Sequence, residues 1–230
     1  SVFTANVYNI SYNLNKPGST TPSNATKPAT GTYDQNVTIS NPTCVGYTFT
    51  GWNITGMDSV THTYGSSNTT NTSISSTKAT TYKNLHSTHD ATVTFKALWS
   101  VNTYYISYSF IGTGSTPVSF TGTDSIEFDE VFSISAATRV GYTFHSWNIS
   151  GMTTDCTHYY GTTNAVSSNG GSSDTMTVTT EKYFKNLASS GTVYFTAVWV
   201  AHEYNITYTM NTPTGATLTT SVSTPAKATF

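Results

Sequence analysis

Apolar residues recur at every second position along short stretches of this chain. Tyr8, Ile10, Tyr12 and Leu14 alternate with Asn and Ser, Val37 and Ile39 alternate with Thr and Ser, and Tyr47 and Phe49 lead to Trp52. Val93, Phe95, Ala97 and Trp99 form a closing run. Successive side chains of a strand face opposite ways, so each run predicts a strand with one apolar and one polar face, as in antiparallel sheet covered on one side. The scheme returns with Ile106, Tyr108 and Phe110, then Phe132 and Ile134, then Tyr142, Phe144 and Trp147, then Val193, Phe195, Ala197 and Trp199. The core expected from this pattern includes Tyr47, Phe49, Trp52, Phe95, Trp99, Tyr142, Phe144, Trp147, Phe195 and Trp199. Two polar stretches, 66–81 and 167–180, predict long loops or an exposed hairpin.

The order of these runs is itself duplicated. GYTFTGWNITGM (46–57) returns as GYTFHSWNISGM (141–152), HTYGSSN (62–68) as HYYGTTN (158–164), YKNL (82–85) as FKNL (184–187), and VTFKALW (93–99) as VYFTAVW (193–199). A further block, YNISYNL (8–14), YYISYSF (104–110) and YNITYTM (204–210), marks where each unit begins. Self-similarity at a fixed period is the signature of tandem architecture. The expected organisation is a lead-in over 1–7, a first repeat over 8–103, a second over 104–203 and an incomplete third over 204–230. The joins from Trp99 to Tyr104 and from Trp199 to Tyr204 are too short for successive units to swing freely.

Composition agrees with a β fold and narrows the partners. Charged residues make up 9% of the chain, against about 25% in an ordinary soluble domain. The 49 threonines, with other hydroxyls and amides, must carry solubility, while 16 Tyr, 11 Phe and 4 Trp supply apolar surface enough to fold. Strong helix formers are scarce and Thr, Val, Ile and aromatics abound, as a pleated surface favours. A net charge of −2 and pI ≈ 6.3 provide no basic patch for nucleic acid. No apolar run is long enough for a membrane-spanning helix, so no membrane insertion is expected within this region, and any export signal or anchor is expected outside it.

The motifs PTCVGYTFTGW (42–52) with ATVTFKALW (91–99), and ATRVGYTFHSW (137–147) with GTVYFTAVW (191–199), together with the opening Tyr-x-Ile strand, resemble the Listeria–Bacteroides repeat, or internalin B-repeat, family. The resemblance covers both full repeats and the start of the third. It implies mainly-β, tandem β-grasp-like units with mostly antiparallel sheets and little helix. It also implies a non-catalytic stalk or adhesive region of surface proteins in bacteria and some microbial eukaryotes. The chain departs from that pattern in lacking an Asn-Gly-Gly turn after the first strand, in having longer units and in its shortage of charge.

Candidate chemistry is sparse. His62 and His158 occupy equivalent turns and read as turn histidines beside Tyr64 and Tyr160. His86, His89 and Asp90 have the composition of a metal corner without a counterpart in the second repeat. Asp124, Glu127, Asp129 and Glu130 could offer oxygens to calcium, but their alternation around Ile126 and Phe128 reads as the solvated face of a strand. Lys83 with Asn84 and Lys185 with Asn186 suggest a Lys–Asn isopeptide bond, yet neighbours on one strand face opposite ways. Cys44 and Cys156 lie in different repeats at non-equivalent positions and are expected to be free, buried thiols. Tyr104, Tyr159 and Tyr160 are the tyrosines expected to be exposed, as a platform for stacking on glycans. Sequons stand at Asn9, Asn24, Asn36, Asn53, Asn68, Asn71, Asn148 and Asn205, so the chain could be a glycoprotein.

No convergent nucleophile, base or cofactor motif is present, so neither an enzyme nor a cofactor is expected. The expected function is a structural and adhesive repeat region of a large secreted or cell-surface protein, forming an extended stalk or fibre for attachment. Its expected partners are neighbouring repeats, further copies in a self-assembled filament, and surface glycans or host proteins. The alternative is a glycan-binding module that uses the exposed tyrosines.

Overall fold

The first alternating run is a strand, β1 (Val7–Asn13), that buries Tyr8 and Ile10 and turns Ser11 to solvent. The computed structural model describes residues 2–24, 26–111, 118–166, 171–208, 211, 213–217 and 227–230. After β1 come β2 (Thr30–Thr32), β3 (Asn36–Thr38), β4 (Tyr47–Thr55), β5 (His62–Tyr64), β6 (Ser67–Thr69), β7 (Ser73–Thr77), β8 (Thr81–Lys83) and β9 (Thr92–Val101). They form a five-stranded sheet in the order β2-β1-β9-β4-β7 and a four-stranded sheet in the order β3-β8-β5-β6. β1 and β9 run parallel, with Ile10 opposite Val93 and Tyr12 opposite Phe95; the other pairings are antiparallel. The apolar faces of the two sheets share one core, in which Tyr8, Trp52, Ile54 and Phe95 meet Val37 and Tyr82.

The same pairing recurs further along. β10 (Thr103–Ser109), β11 (Val118–Ser119), β12 (Ser125–Glu127), β13 (Val131–Ser133), β14 (Thr138–Arg139), β15 (Tyr142–Ser150), β16 (Tyr159–Gly161), β17 (Thr175–Val178), β18 (Tyr183–Lys185) and β19 (Thr192–Ala201) follow in order. β10 runs parallel to β19, with Ile106 opposite Val193 and Tyr108 opposite Phe195, while β15 and β19 pair antiparallel. β13, β18 and β16 make a separate three-stranded sheet over the same core. A final hairpin joins β20 (Glu203–Asn205) to β21 (Lys227–Thr229). No helix forms among the described residues; the fold is all-β, with mostly antiparallel sheets.

A bulge explains why the aromatic spacing changes inside the duplicated motif. In β4, Phe49 faces Trp99 and Gly51 faces Leu98, so Thr50 is an extra residue in the strand; in β15, His145 is the extra residue between Phe144 and Ser146. A one-residue insertion reverses the alternation. Phe49 and Trp52 therefore meet, edge to face, with ring centroids 5.4 Å apart, and Phe144 and Trp147 meet at 5.2 Å.

Several expectations need correction. Trp52, Phe95, Trp147 and Phe195 are fully buried, but Phe49, Trp99, Phe144 and Trp199 pack at the rim of their cores. Tyr142 is buried, as expected, and Tyr47 is half-buried; neither ring is part of the two main clusters. The polar stretch 66–81 contains β6 and β7, and Ile74 is buried where β7 pairs with β4. Likewise Val178 is buried on β17, whereas 167–170 at the start of the second polar stretch lie outside the described residues. The last two residues of the third opening block, 209–210, also lie outside them.

Candidate functional site at the segment junction

Where β9 passes into β10, the first segment receives side chains from the second. Gly46 precedes β4 with φ +79, a left-handed conformation that glycine adopts without a Cβ penalty. A Cβ at this position would overlap the ring of Phe128, so the absence of a side chain lets the ring lie on the backbone. Phe128, 2% exposed, also meets Tyr47 edge to face at 5.9 Å. Backbone bonds fix the approach: Asn102 N–H donates to the Gly46 carbonyl at 2.9 Å, and Phe128 N–H donates to the Asn102 carbonyl at 2.9 Å. The Asn102 amide donates to the Ser189 carbonyl at 3.1 Å, and the Thr48 hydroxyl donates to Asn102 Oδ1 at 2.6 Å.

Asp129 completes this junction. It sits in the left-handed region at φ 68, which aspartate tolerates better than most residues. Its own N–H donates to Asn186 Oδ1 at 2.7 Å, Asn186 Nδ2 donates back to Asp129 Oδ1 at 3.0 Å, and Lys185 Nζ lies 3.4 Å away. From the first segment, Ser19 N–H donates at 2.8 Å, the Ser19 hydroxyl donates to the other carboxylate oxygen, and the Tyr47 hydroxyl donates at 2.8 Å. Partial burial works against the charged carboxylate, but the donors from Asn186, Ser19 and Tyr47 outweigh it and hold Asp129 well below the ordinary carboxylate range. Burial and the hydrogen bond to Asp129 together push the Tyr47 hydroxyl upward.

A second junction repeats the backbone and aromatic parts of the first. Gly141 has φ +80, and a Cβ there would overlap Phe230. His202 N–H donates to the Gly141 carbonyl at 2.8 Å, and Phe230 N–H donates to the His202 carbonyl at 3.0 Å. Tyr142 meets Phe230 edge to face at 5.7 Å, and Thr143 Oγ1 lies 2.9 Å from His202 Nε2. Arg139 stands over the Tyr142 ring at 4.9 Å.

The residues singled out from sequence are placed differently. Tyr104 is fully buried, because it shares the inward face of β10 with Ile106; Tyr105, between them, is the exposed one at 59%. Tyr159 and Tyr160 are half-buried, and Tyr160 packs on the second core. The three tyrosines therefore make no open stacking platform. His62, which opens β5 instead of lying in a turn, and His158 are both buried: His62 has its two ring nitrogens against the carbonyls of Asn84 and Asp58, and His158 Nε2 faces the carbonyl of Thr153. His86 lies 3.5 Å from Asp58, while exposed His89 lies beside Asp90. Asp124, Glu127 and Glu130 are exposed, but Asp129 has left the solvated face for the junction. Lys83 and Lys185 approach Asp34 and Asp129 respectively. Cys44 and Cys156 are free and buried.

No family model, curated protein or solved structure matches this chain. A cleft of ≈ 330 Å³ opens at the first junction, lined by Cys44, Gly46, Asn102, Asp155 and Ser189 among others, with no histidine to activate the thiol. The junction residues that sequence reasoning missed are Ser19, Gly46, Asn102, Phe128 and Asp129. A signal existed: Gly18-Ser19-Thr20 recurs as Gly114-Ser115-Thr116, and Asn6 and Asn102 stand at the same distance before the opening strand. Residues 112–117 lie outside the described residues.

Proposed function

We propose that this chain is a tandem-repeat region of a large secreted or cell-surface protein and forms an extended stalk or fibre for attachment, without catalysis. The observation that carries this reading is the junction itself. A Gly-Tyr-Thr socket receives an aromatic side chain and one backbone bond from the following segment, at Gly46 and again at Gly141. Such a device orients one unit on the next and suits a rod better than a site that turns over substrate. Each segment is read as β-grasp-like. The order β2-β1-β9-β4, with parallel β1 and β9 flanked by antiparallel partners, supports this, a strand taking the place of the customary crossover helix. The resemblance to the Listeria–Bacteroides repeat family supports the surface location. The glycan-binding alternative loses its motivation with the burial of Tyr104.

The test is antibody labelling of the source cells with serum raised against the full chain. Filamentous labelling of intact cells is the expected result. An antigen reached only after permeabilisation would overturn the proposal.

A further inference from the structure

One face of the larger sheet in the second segment lies on the core, and two large rings stand on the other. Tyr105 on β10 is 59% exposed and Tyr194 on β19 is 50% exposed. In the parallel pairing of these strands Tyr105 faces Thr192 and Ser107 faces Tyr194. Paired residues share a side of the sheet, so the two rings are diagonal neighbours with their backbones about 8 Å apart. The Tyr194 ring leans over the end of β15, where a Cβ on Gly151 would come within 3.0 Å of it. Beside it the face is hollowed. A cleft of ≈ 350 Å³ is lined by Asn148 and Ser150 of β15, Thr175 and Thr177 of β17 and Thr196 of β19, among others. Ser150 is the cross-strand partner of Tyr194, and the Thr177 hydroxyl donates to Asn148 Oδ1 at 3.0 Å.

Packing does not account for the two rings. Neither belongs to the core cluster, and the first segment forms the same strand pair without them. There Asn9 holds the place of Tyr105, opposite Thr92, and Thr94 holds that of Tyr194, opposite Ser11. Lys96, opposite Asn53, stands where Thr196 stands opposite Asn148. The second segment thus differs from the first in two exposed rings gained and one charge removed, on one patch of one face. Tyrosine offers broad contact area at low entropic cost, and small hydroxyl and amide groups beside it offer adaptable hydrogen bonds. The rings and the cleft residues carry no formal charge. They match a ligand that is itself neutral, with C–H faces for the rings and many hydroxyls for the cleft.

We propose that Tyr105, Tyr194 and the adjoining cleft bind a neutral carbohydrate, with the rings stacked on pyranose faces and Asn148 and Thr196 meeting its hydroxyls. Tyr104 points to the opposite side of β10, and Tyr159 and Tyr160 stand on the smaller sheet, so this surface is distinct from the platform expected from sequence. It goes beyond the array reading and does not rest on it. Cell labelling tests that reading, and oligosaccharide binding tests this one.

The experiment applies the full chain, produced in a bacterial host so that the Asn148 sequon stays bare, to an array of oligosaccharides. The neutral set contains glucose, galactose, mannose and N-acetylglucosamine oligomers; the charged set contains sialylated and sulfated ones. Binding should fall on neutral members, and titration calorimetry then measures the affinity. Tyr105→Asn with Tyr194→Thr, which gives this face the residues of the first segment, should weaken binding about ten-fold or more while the melting curve stays cooperative. Thr196→Lys, which copies Lys96 into the cleft and leaves both rings in place, should weaken it as well. No binding across the neutral set, binding confined to charged members, or an affinity unchanged in either variant overturns the site.

Discussion

Replacing Asp129 by Asn keeps the size of the side chain and its tolerance for the left-handed backbone, but removes the charge and one acceptor oxygen. Three donor groups from the first segment aim at this carboxylate: the Ser19 N–H, the Ser19 hydroxyl and the Tyr47 hydroxyl. Hydrogen bonds to a charged group contribute about 1.5–3 kcal/mol each, but donors at a junction rim recover water when freed, and bonds sharing one carboxylate do not add. The expected net loss is therefore about 2–3 kcal/mol. Asp34→Asn is the matched control, since the same local bonds are present, to Asn84 and Lys83, but the side chain is 67% exposed, and it should cost under about 0.5 kcal/mol. Urea unfolding followed by tryptophan fluorescence, with limited proteolysis of the join near Asn102, reads both effects. The charge also gives a pH signature. The folded carboxyl of Asp129 is held below its unfolded value of about 3.9, so its stabilisation is whole above about pH 4 and is lost progressively as pH falls toward the folded value. The difference between parent and Asp129→Asn should shrink over that acid range. Equal costs for the two substitutions, or a difference that persists at the acid end, would refute the reasoning.

Gly46→Ala forces a Cβ into the Phe128 ring at a left-handed position, and should destabilise the junction by about 1–3 kcal/mol, seen as faster cleavage at the join with the far core still folded. Trp147→Ala should cost about 3–5 kcal/mol in urea melts, whereas Tyr105→Ala, at an exposed position, should stay within about 0.5 kcal/mol. Cys44 and Cys156 should react slowly with a thiol reagent in the native chain and rapidly in denaturant; burial also raises the Cys156 thiol, which disfavours the reactive thiolate.

Alternation along the chain was enough to read the all-β class, the strands around Trp52 and Trp147, and the burial of those two rings with Phe95 and Phe195. Duplication within the sequence was enough to see that the motif around Trp52 returns around Trp147. Both are local facts, written in the period of side chains along a strand. Alternation says only that Tyr47 shares a strand face with Phe49; it does not say that Phe128 meets its ring and Asp129 accepts from its hydroxyl. The same limit hid Tyr104, whose neighbour Tyr105 is an equally large ring on the opposite face. It also hid the role of Asp129, which reads as one charge among four until Ser19, from far along the chain, donates to it. What covers a given face, and which distant polar groups converge on one carboxylate, depends on where each sheet ends and how the chain returns. Those are properties of the assembled sheets, decided by contacts between residues that have no fixed spacing in sequence.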